Sequence, residues 1–325
     1  MIRTALIYGG DSSEWGISVL SGKYVATCLD PARYEVTELL LRNGQWSVCD
    51  PSVTDVAVPV APFIPSRLKE YDVAVIMIHG TPGENGILQA ELERHGLPFT
   101  TCSSRVSAIT FDKHACKKGL QGVGIPLAPE MFFHRGEAFN PEEVVEKLGL
   151  PVFVKPNDGG SSFGVTKVKR QEDLAAAVAA AFSESDDVLI ESFIPGRELT
   201  EGVFSRGGEI ITLPVTEIIS HNEYFDYEAK YMGKSDEVCP AQISREVEMK
   251  VREQTRRIYQ HFGCSGMIRC DYILSESGQV YFLEINPIPG MTKMSLVPAQ
   301  IRAAGMEVSE VLDGIIAEAI SSFRA

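Results

Sequence analysis

No two of the seven cysteines, Cys28, Cys49, Cys102, Cys116, Cys239, Cys264 and Cys270, stand in a CxxC pair, and their number is odd. A disulfide framework or a structural zinc site is therefore disfavoured, and free thiols in a reducing cytosol fit better. Positive charge is also short: 30 Lys and Arg against 44 Asp and Glu give a net charge of −14. A nucleic-acid binder needs a basic footprint, and so does a protein drawn to an anionic membrane surface. The longest apolar run, LAAAVAAAF at 174–182, is far too short to span a bilayer. The opening MIRTALIYGG lacks the length and cleavage site of a signal peptide. The expectation is a cytoplasmic protein with no nucleic-acid and no membrane partner. No internal repeat and no low-complexity segment stands out.

What is present is an ordinary globular composition, 44% hydrophobic and 23% charged over 325 residues. That length suits two or three domains. RTALIY (3–8) reads as a buried strand and ISVLSGKYVATCL (17–29) as a helix. YEVTELLL (34–41) and QWSVC (45–49) flank Asn43-Gly44, a hairpin signal. DVAVIMI (72–78) is another strand and LQAELERHG (88–96) another helix. This order predicts a parallel α/β domain ending between 100 and 112. One helix is expected near 103–120, strands at PVFVKP (151–156), VTKVK (165–169) and VLIES (188–192), and a helix at 171–183. A third region looks antiparallel: RELTEGVFS, then EIITLPVTEI as one strand, a polar loop at 220–240, a helix at 245–262 and a hairpin at 267–287. Helical segments from about 296 to 323 close the chain. The fold class is thus α/β and α+β, a parallel-sheet N-terminal domain followed by more antiparallel parts.

The last hairpin carries chemistry. GMIRCDYIL and QVYFLEINP are joined by SESG. A two-residue turn at Ser277-Gly278 sets 276 opposite 279, Asp271 opposite Glu284 and Arg269 opposite Asn286. Alternate residues share a face, so these four share one. Ile268, Cys270, Tyr272, Leu274, Tyr281, Leu283 and Ile285 share the other. Two opposed carboxylates need a cation, and an all-oxygen set of Asp, Glu and Asn suits magnesium. The rival reading is a solvated surface hairpin. NPIPGMTKMSLVP, which no regular element could use, reads as a substrate loop. NDGGSSFG (157–164) reads as a loop able to wrap phosphate, with Lys113 and Lys155 within reach. It matches neither the Walker nor the Rossmann glycine pattern.

Taken in order, GGDSSE (9–14), HGTPGENG (79–86), FDK (111–113), VKPNDGGSSFGV (154–165), DYEAKY (226–231), RCD (269–271) and LEINPIPGMTKMSLVP (283–298) resemble the D-alanine–D-alanine ligases of the ATP-grasp superfamily. The resemblance runs almost end to end. It implies an N-terminal α/β domain (1–110), a central ATP-grasp lobe (111–193) and a C-terminal lobe with the metal and substrate site (194–325). ATP and two magnesium ions, or manganese, would be the cofactors. The resemblance puts Lys113 and Lys155 on phosphates and Ser161 and Ser162 in the phosphate loop. Glu191, Phe193 and Ile194 would line the adenine pocket, and Glu198 would hold the ribose. Asp271, Glu284 and Asn286 would bind metal.

Glu14, networked with Ser161, would take the ammonium of a first D-alanine, and His79 would orient substrate groups. Arg269 and the N–H of Gly290 would form the oxyanion site. Ser295 and the N–H of Leu296 would grip the carboxylate of a second D-alanine, under Lys230 and Tyr231. Blander rivals are a helix cap for Glu14, a satisfied buried ring for His79 and loop packing for Tyr231. The implied reaction activates one D-alanine as an acyl phosphate and joins it to the other, as a homodimer supplying a peptidoglycan precursor. Ligation to D-lactate and an inactive nucleotide-binding homologue are the alternatives. Gly16, TTCSS (100–104) and NDGG (157–160) depart from the usual family pattern.

Overall fold

The computed structural model describes residues 1–160, 164–221 and 234–324. The first sheet holds β1 (Ile2–Gly9), β2 (Tyr34–Arg42), β3 (Gln45–Cys49), β4 (Pro59–Pro62) and β5 (Val73–Met77), in the order β4-β3-β2-β1-β5. β1 is parallel to β2 and β5, as the strand–helix alternation predicts, and α1 (Trp15–Cys28) packs on it. The hairpin stands where Asn43-Gly44 puts it: Arg42 pairs with Gln45, and the two turn residues have φ of 48° and 70°. Asparagine and glycine tolerate this left-handed pair best. α2 (Ile87–Arg94) follows β5.

The helix expected near 103–120 is two, α3 (Ser104–Phe111) and α4 (Lys113–Leu120). Asp112 breaks it, with ψ of 108° and a carboxylate that accepts from Ala115 N, the behaviour of an N-cap. Lys113 is therefore the first residue of a helix. The second sheet, in the order β6-β9-β7-β8, comprises β6 (Glu130–His134), β7 (Val152–Pro156), β8 (Thr166–Val168) and β9 (Asp187–Ser192). Val152, Val154, Val188 and Ile190 form a core with Val144 of α5 (Pro141–Leu148) and Leu174, Val178 and Ala181 of α6 (Leu174–Glu184). The alternate residues Phe153, Lys155 and Glu191 line a cleft.

The third sheet runs β13-β12-β10-β14-β15, with β11 on β10. Its strands are β10 (Gly196–Arg206), β11 (Glu209–Thr212), β12 (Thr216–Ser220), β13 (Ser235–Val238), β14 (Ile268–Ser275) and β15 (Val280–Asn286). EIITLPVTEI is two strands rather than one, because Pro214 has no N–H to give a ladder. The polar stretch 220–240 also yields a strand, β13. α7 (Arg245–Phe262) lies where its pattern puts it.

The hairpin turn is not the expected two-residue one. Ser275 N donates to Gln279 O, Gly278 takes φ of 78°, and Leu274 pairs with Val280. A register shift between Asp271 and Tyr272 then restores the pairing of Asp271 with Glu284 and Arg269 with Asn286. The extra turn residue and the bulge at Leu283 cancel. On β15 the faces are corrected accordingly: Val280, Phe282 and Ile285 are buried, while Tyr281 and Leu283 line the cleft.

α8 (Leu296–Ala303) and α9 (Val308–Arg324) complete the chain. Val297, Ile301, Val311, Leu312 and Ile315 share one core with Leu6, Tyr8 and Val75 of the first sheet and Phe204 of the third. Each such side chain contributes about 1.5–3 kcal/mol on burial. Cys102, Cys116 and Leu120 share another core with Leu199, Cys270 and Ile285. α3 and α4 are thus fixed to the third sheet, while the second sheet keeps its own core. Among the described residues no helix is long and apolar enough to cross a membrane.

Candidate active site

A cleft of about 690 Å3 opens between the second and third sheets and reaches the loops of the first. Its floor is the β14–β15 hairpin, and Asp271 is its best-held group. Arg269 donates to both Asp271 oxygens, from Nε at 2.9 Å and Nη2 at 2.7 Å. Thr200 Oγ1 donates at 2.5 Å and Asn286 Nδ2 at 2.9 Å. With Asp271 only 4% exposed, a solvated surface hairpin is ruled out. Glu284 faces Lys113 Nζ at 3.8 Å. Two carboxylates are thus matched by two cations, which is why they can stand opposite one another. Asn286 gives its Nδ2 to Asp271, so its carbonyl oxygen points elsewhere. Asp271, Glu284 and Asn286 together form a hard, all-oxygen donor set that fits magnesium.

Lysines crowd the wall above. Lys113 Nζ donates to Gly159 O at 2.9 Å, which ties α4 to the start of the glycine-rich loop. Lys155 is buried and ion-paired with Glu191, which also pairs with Lys117. Lys117 Nζ lies 3.4 Å from Glu130, whose other oxygen meets His114 Nδ1 at 2.8 Å. Burial pushes both Lys155 and Lys117 below the usual lysine range; repulsion from Lys117 adds to the effect on Lys155, and Glu130 opposes that on Lys117. Phe153 and Phe193 meet edge-on at 5.9 Å, and Lys167 Nζ sits 3.6 Å over the Phe193 ring. Ile194 and Glu198 line the same end.

At the other end Glu14 stands just before α1, but its carboxylate does not cap the helix. It lies against Gly160, so close that a Cβ there would collide with Oε2. His79 is buried and has both ring nitrogens engaged. Nδ1 meets Ile288 O at 2.8 Å and Nε2 meets Ser21 Oγ at 3.0 Å, while Met291 N donates to the same Oγ at 3.2 Å. A carbonyl can only accept, so Nδ1 carries the proton, and burial lowers the ring's pKa. The ring thus holds the loop that carries Gly290. Glu84 holds that loop too, accepting from Ile288 N at 3.2 Å and from Gly80 N at 2.7 Å. Its carboxyl is pushed up to about 8, first by burial and then by the charge of Glu14.

Ser295 precedes α8, and its hydroxyl accepts from Thr292 N at 3.0 Å rather than capping the helix. Gly290, Ser295 and Leu296 all line the cleft, so the uncapped N–H groups of α8 form a ready anion site. Glu237 lies on the cleft face of β13. Water reaches it, yet burial still pushes its carboxyl upward, with Arg269 opposing.

The structure brings together Glu14, His79, Lys113, Lys155, Glu191, Phe193, Ile194, Glu198, Arg269, Asp271, Glu284, Asn286, Gly290, Ser295 and Leu296 around one cleft. Ser161, Ser162, Lys230 and Tyr231 lie outside the described residues. Sequence reasoning missed Thr200, Glu84, Lys117 and Ser21. Glu84 lies inside HGTPGENG and Lys117 one turn after Lys113, and those positions are the only signals they gave.

Two family models match the chain: "D-ala D-ala ligase N-terminus" over residues 3–102 and "D-ala D-ala ligase C-terminus" over 120–317. Among curated relatives, a D-alanine–D-alanine ligase of Phocaeicola vulgatus is 44% identical over 97% of this chain and 99% of its own. One from Bacteroides fragilis is 42% identical over 96% and 97%. Among solved structures, the VanG D-Ala:D-Ser ligase of Enterococcus faecalis superposes with a TM-score of 0.87 at 30% identity, covering 98% of this chain and 99% of that one. The D-alanine–D-alanine ligase of Bacillus anthracis gives 0.83 at 31%, covering 100% and 99%.

Proposed function

The chain belongs to the D-alanine–D-alanine ligase family, and on that premise we propose how its own residues carry the family's reaction. The protein is an ATP-dependent ligase that joins two D-alanines into D-alanyl-D-alanine for peptidoglycan precursor synthesis. Glu14 accepts the ammonium of the first D-alanine. The carboxylate of that molecule attacks the γ-phosphoryl group, the bond to ADP breaks, and an acyl phosphate forms. Lys113 and Lys155 offset the repulsion between these anions. The second D-alanine sets its carboxylate at Ser295 and the first N–H groups of α8. Its amine, once deprotonated, attacks the acyl carbon, and phosphate leaves with the electron pair of the broken C–O bond. Arg269 and the N–H of Gly290 carry the charge that develops on the carbonyl oxygen. Asp271, Glu284 and Asn286 would hold magnesium or manganese, which when bound would supply further charge neutralisation on the phosphates.

The convergence of Glu14, the oxygens of Asp271, Glu284 and Asn286, Lys113, the buried Lys155 and an uncapped helix terminus in one cleft supports this reading best. The glycine-rich loop, with Ser161 and Ser162, and Lys230 and Tyr231 complete it by resemblance. We further assign 1–110, 111–193 and 194–325 as the three domains, two metal ions per site, a homodimer and a cytoplasmic location. Purified protein given ATP, magnesium and D-alanine is expected to release phosphate and form the dipeptide in equal amounts. Absence of amino-acid-dependent phosphate release sinks the reading. D-Lactate and D-serine belong in the same assay as competitors for the second position. D-Serine earns its place from the D-Ala:D-Ser ligase among the similar structures.

A further inference from the structure

Gln300 has no part in the chemistry above, yet it is fully buried, between two parts of the site. An amide in an apolar core is costly unless its polar atoms are paired. Here they all are. Nε2 donates to Thr200 O at 3.0 Å and to Thr216 Oγ1 at 3.1 Å, and Gly202 N donates to Oε1 at 2.9 Å. The sheet explains the slot. β12 pairs with β10 at Glu198, Leu199 and Thr200, and β11 takes over only at Val203. In the gap the carboxamide stands in for the peptide group of the missing neighbour strand. Gly202 leaves room for it, since a Cβ there would come within 2.8 Å of Oε1.

Two halves of the cleft meet at this side chain. Along α8, Gln300 lies four residues after Leu296, on the same helix face. Across the sheet, the residue whose carbonyl it holds, Thr200, gives its hydroxyl to Asp271. We infer that Gln300 is a positioning residue for the second half-reaction. It sets the helix terminus that takes the second substrate's carboxylate at a fixed distance from the Asp271 strand. That distance decides whether the amine reaches the acyl carbon before water does. The inference rests on the ligase reading. Phosphorylation of the first D-alanine uses Glu14, Lys113 and Lys155, none of which Gln300 touches, and Asp271 keeps its bonds from Arg269 and Asn286 without it. If α8 shifts, water attacks the acyl phosphate instead, returning D-alanine and phosphate without dipeptide.

The test counts phosphate and dipeptide in the same reaction. Gln300→Met keeps the length and removes all three hydrogen bonds; Gln300→Glu keeps the acceptor for Gly202 N. Wild type is expected to release one phosphate per dipeptide. Gln300→Met is expected to release about threefold more phosphate than dipeptide and to raise KM for the second D-alanine about tenfold, with KM for ATP unchanged. Gln300→Glu should fall between. Equilibrium titration of D-alanine into protein loaded with a non-hydrolysable ATP analogue should show the same weakening of the second site only. A folded Gln300→Met enzyme that stays coupled, with the wild-type KM, overturns the inference even if it melts earlier. If Gln300→Met does not fold, Thr216→Val removes one of the bonds and is read by the same ratio. A wild type that forms no dipeptide fails the ligase reading itself, a separate result.

Discussion

Two carboxyl groups at the first-substrate end do different work because their surroundings differ. Both line the cleft, but Glu14 stands beside Gly160, whereas Glu84 is buried and accepts two backbone N–H groups. Glu14→Gln should raise KM for the first D-alanine about 10- to 100-fold, the loss of one charge-assisted hydrogen bond. KM for ATP should not move. An unchanged KM for D-alanine would remove Glu14 from the site. Glu84→Gln presents one acceptor to two donors, so either Gly80 N or Ile288 N loses its partner. Because the Glu84 carboxyl titrates near 8, raising the pH through 8 adds a second negative charge beside Glu14. An ammonium is then held more tightly, so KM for the first D-alanine should fall across that interval in wild type and stay flat in Glu84→Gln. Parallel pH profiles of the two enzymes would contradict this. The same residues mark the limit of sequence reading. Arg269, Asp271, Glu284 and Asn286 were legible because β-alternation forces them onto one face. Lys117 and Glu84 were not, since a lone charge on a short helix or in a loop looks solvated until tertiary packing buries it.

Elements place these residues, and the contacts between elements are open to test. The glycine-rich loop begins against Glu14, and Gly160 is the point of approach. Gly160→Ala should push the Glu14 carboxylate aside and lower affinity for the first D-alanine about tenfold, since small misplacements of binding groups are costly. Steady-state kinetics at saturating ATP would measure it, and wild-type KM would show that the loop yields. The hairpin shows how an element can be legible for an incomplete reason. Expecting a two-residue turn at Ser277-Gly278 led to the correct opposition of Asp271 and Glu284. The chain reaches it with a longer turn and a bulge at Leu283. Neither leaves a mark in the pattern, because Tyr281, Leu283 and Phe282 are all apolar and the burial of either set satisfies it. The sequence of α3 and α4 likewise reads as one helix. Asp112 is a preferred N-cap residue, but with helix-compatible residues on both sides it does not by itself mark a break.

At the scale of the whole molecule, the first and third sheets share one core with the two C-terminal helices, and buried acids make stability depend on pH. Glu201 is fully buried on β10, with Arg252 Nε 3.9 Å away. Its carboxyl is pushed up to about 8 by burial, which Thr255 and Arg252 oppose. Glu84 is raised to a similar value. In the unfolded chain both titrate near 4.5. Between 4.5 and 8 the unfolded state has therefore lost protons that the folded state keeps. The contribution of these two acids to stability falls as pH rises through that window, by roughly 1 kcal/mol per pH unit for each. Above 8 the folded state releases its protons too, and the slope levels off. Glu201→Gln keeps the shape of the protonated acid and cannot ionise. It should raise the melting temperature over wild type at pH 8, leave it nearly unchanged at pH 4.5, and so make the difference between the two enzymes grow with pH, at about 2 °C or more per kcal/mol. Melting curves that differ by a constant amount across this range would place the Glu201 proton elsewhere.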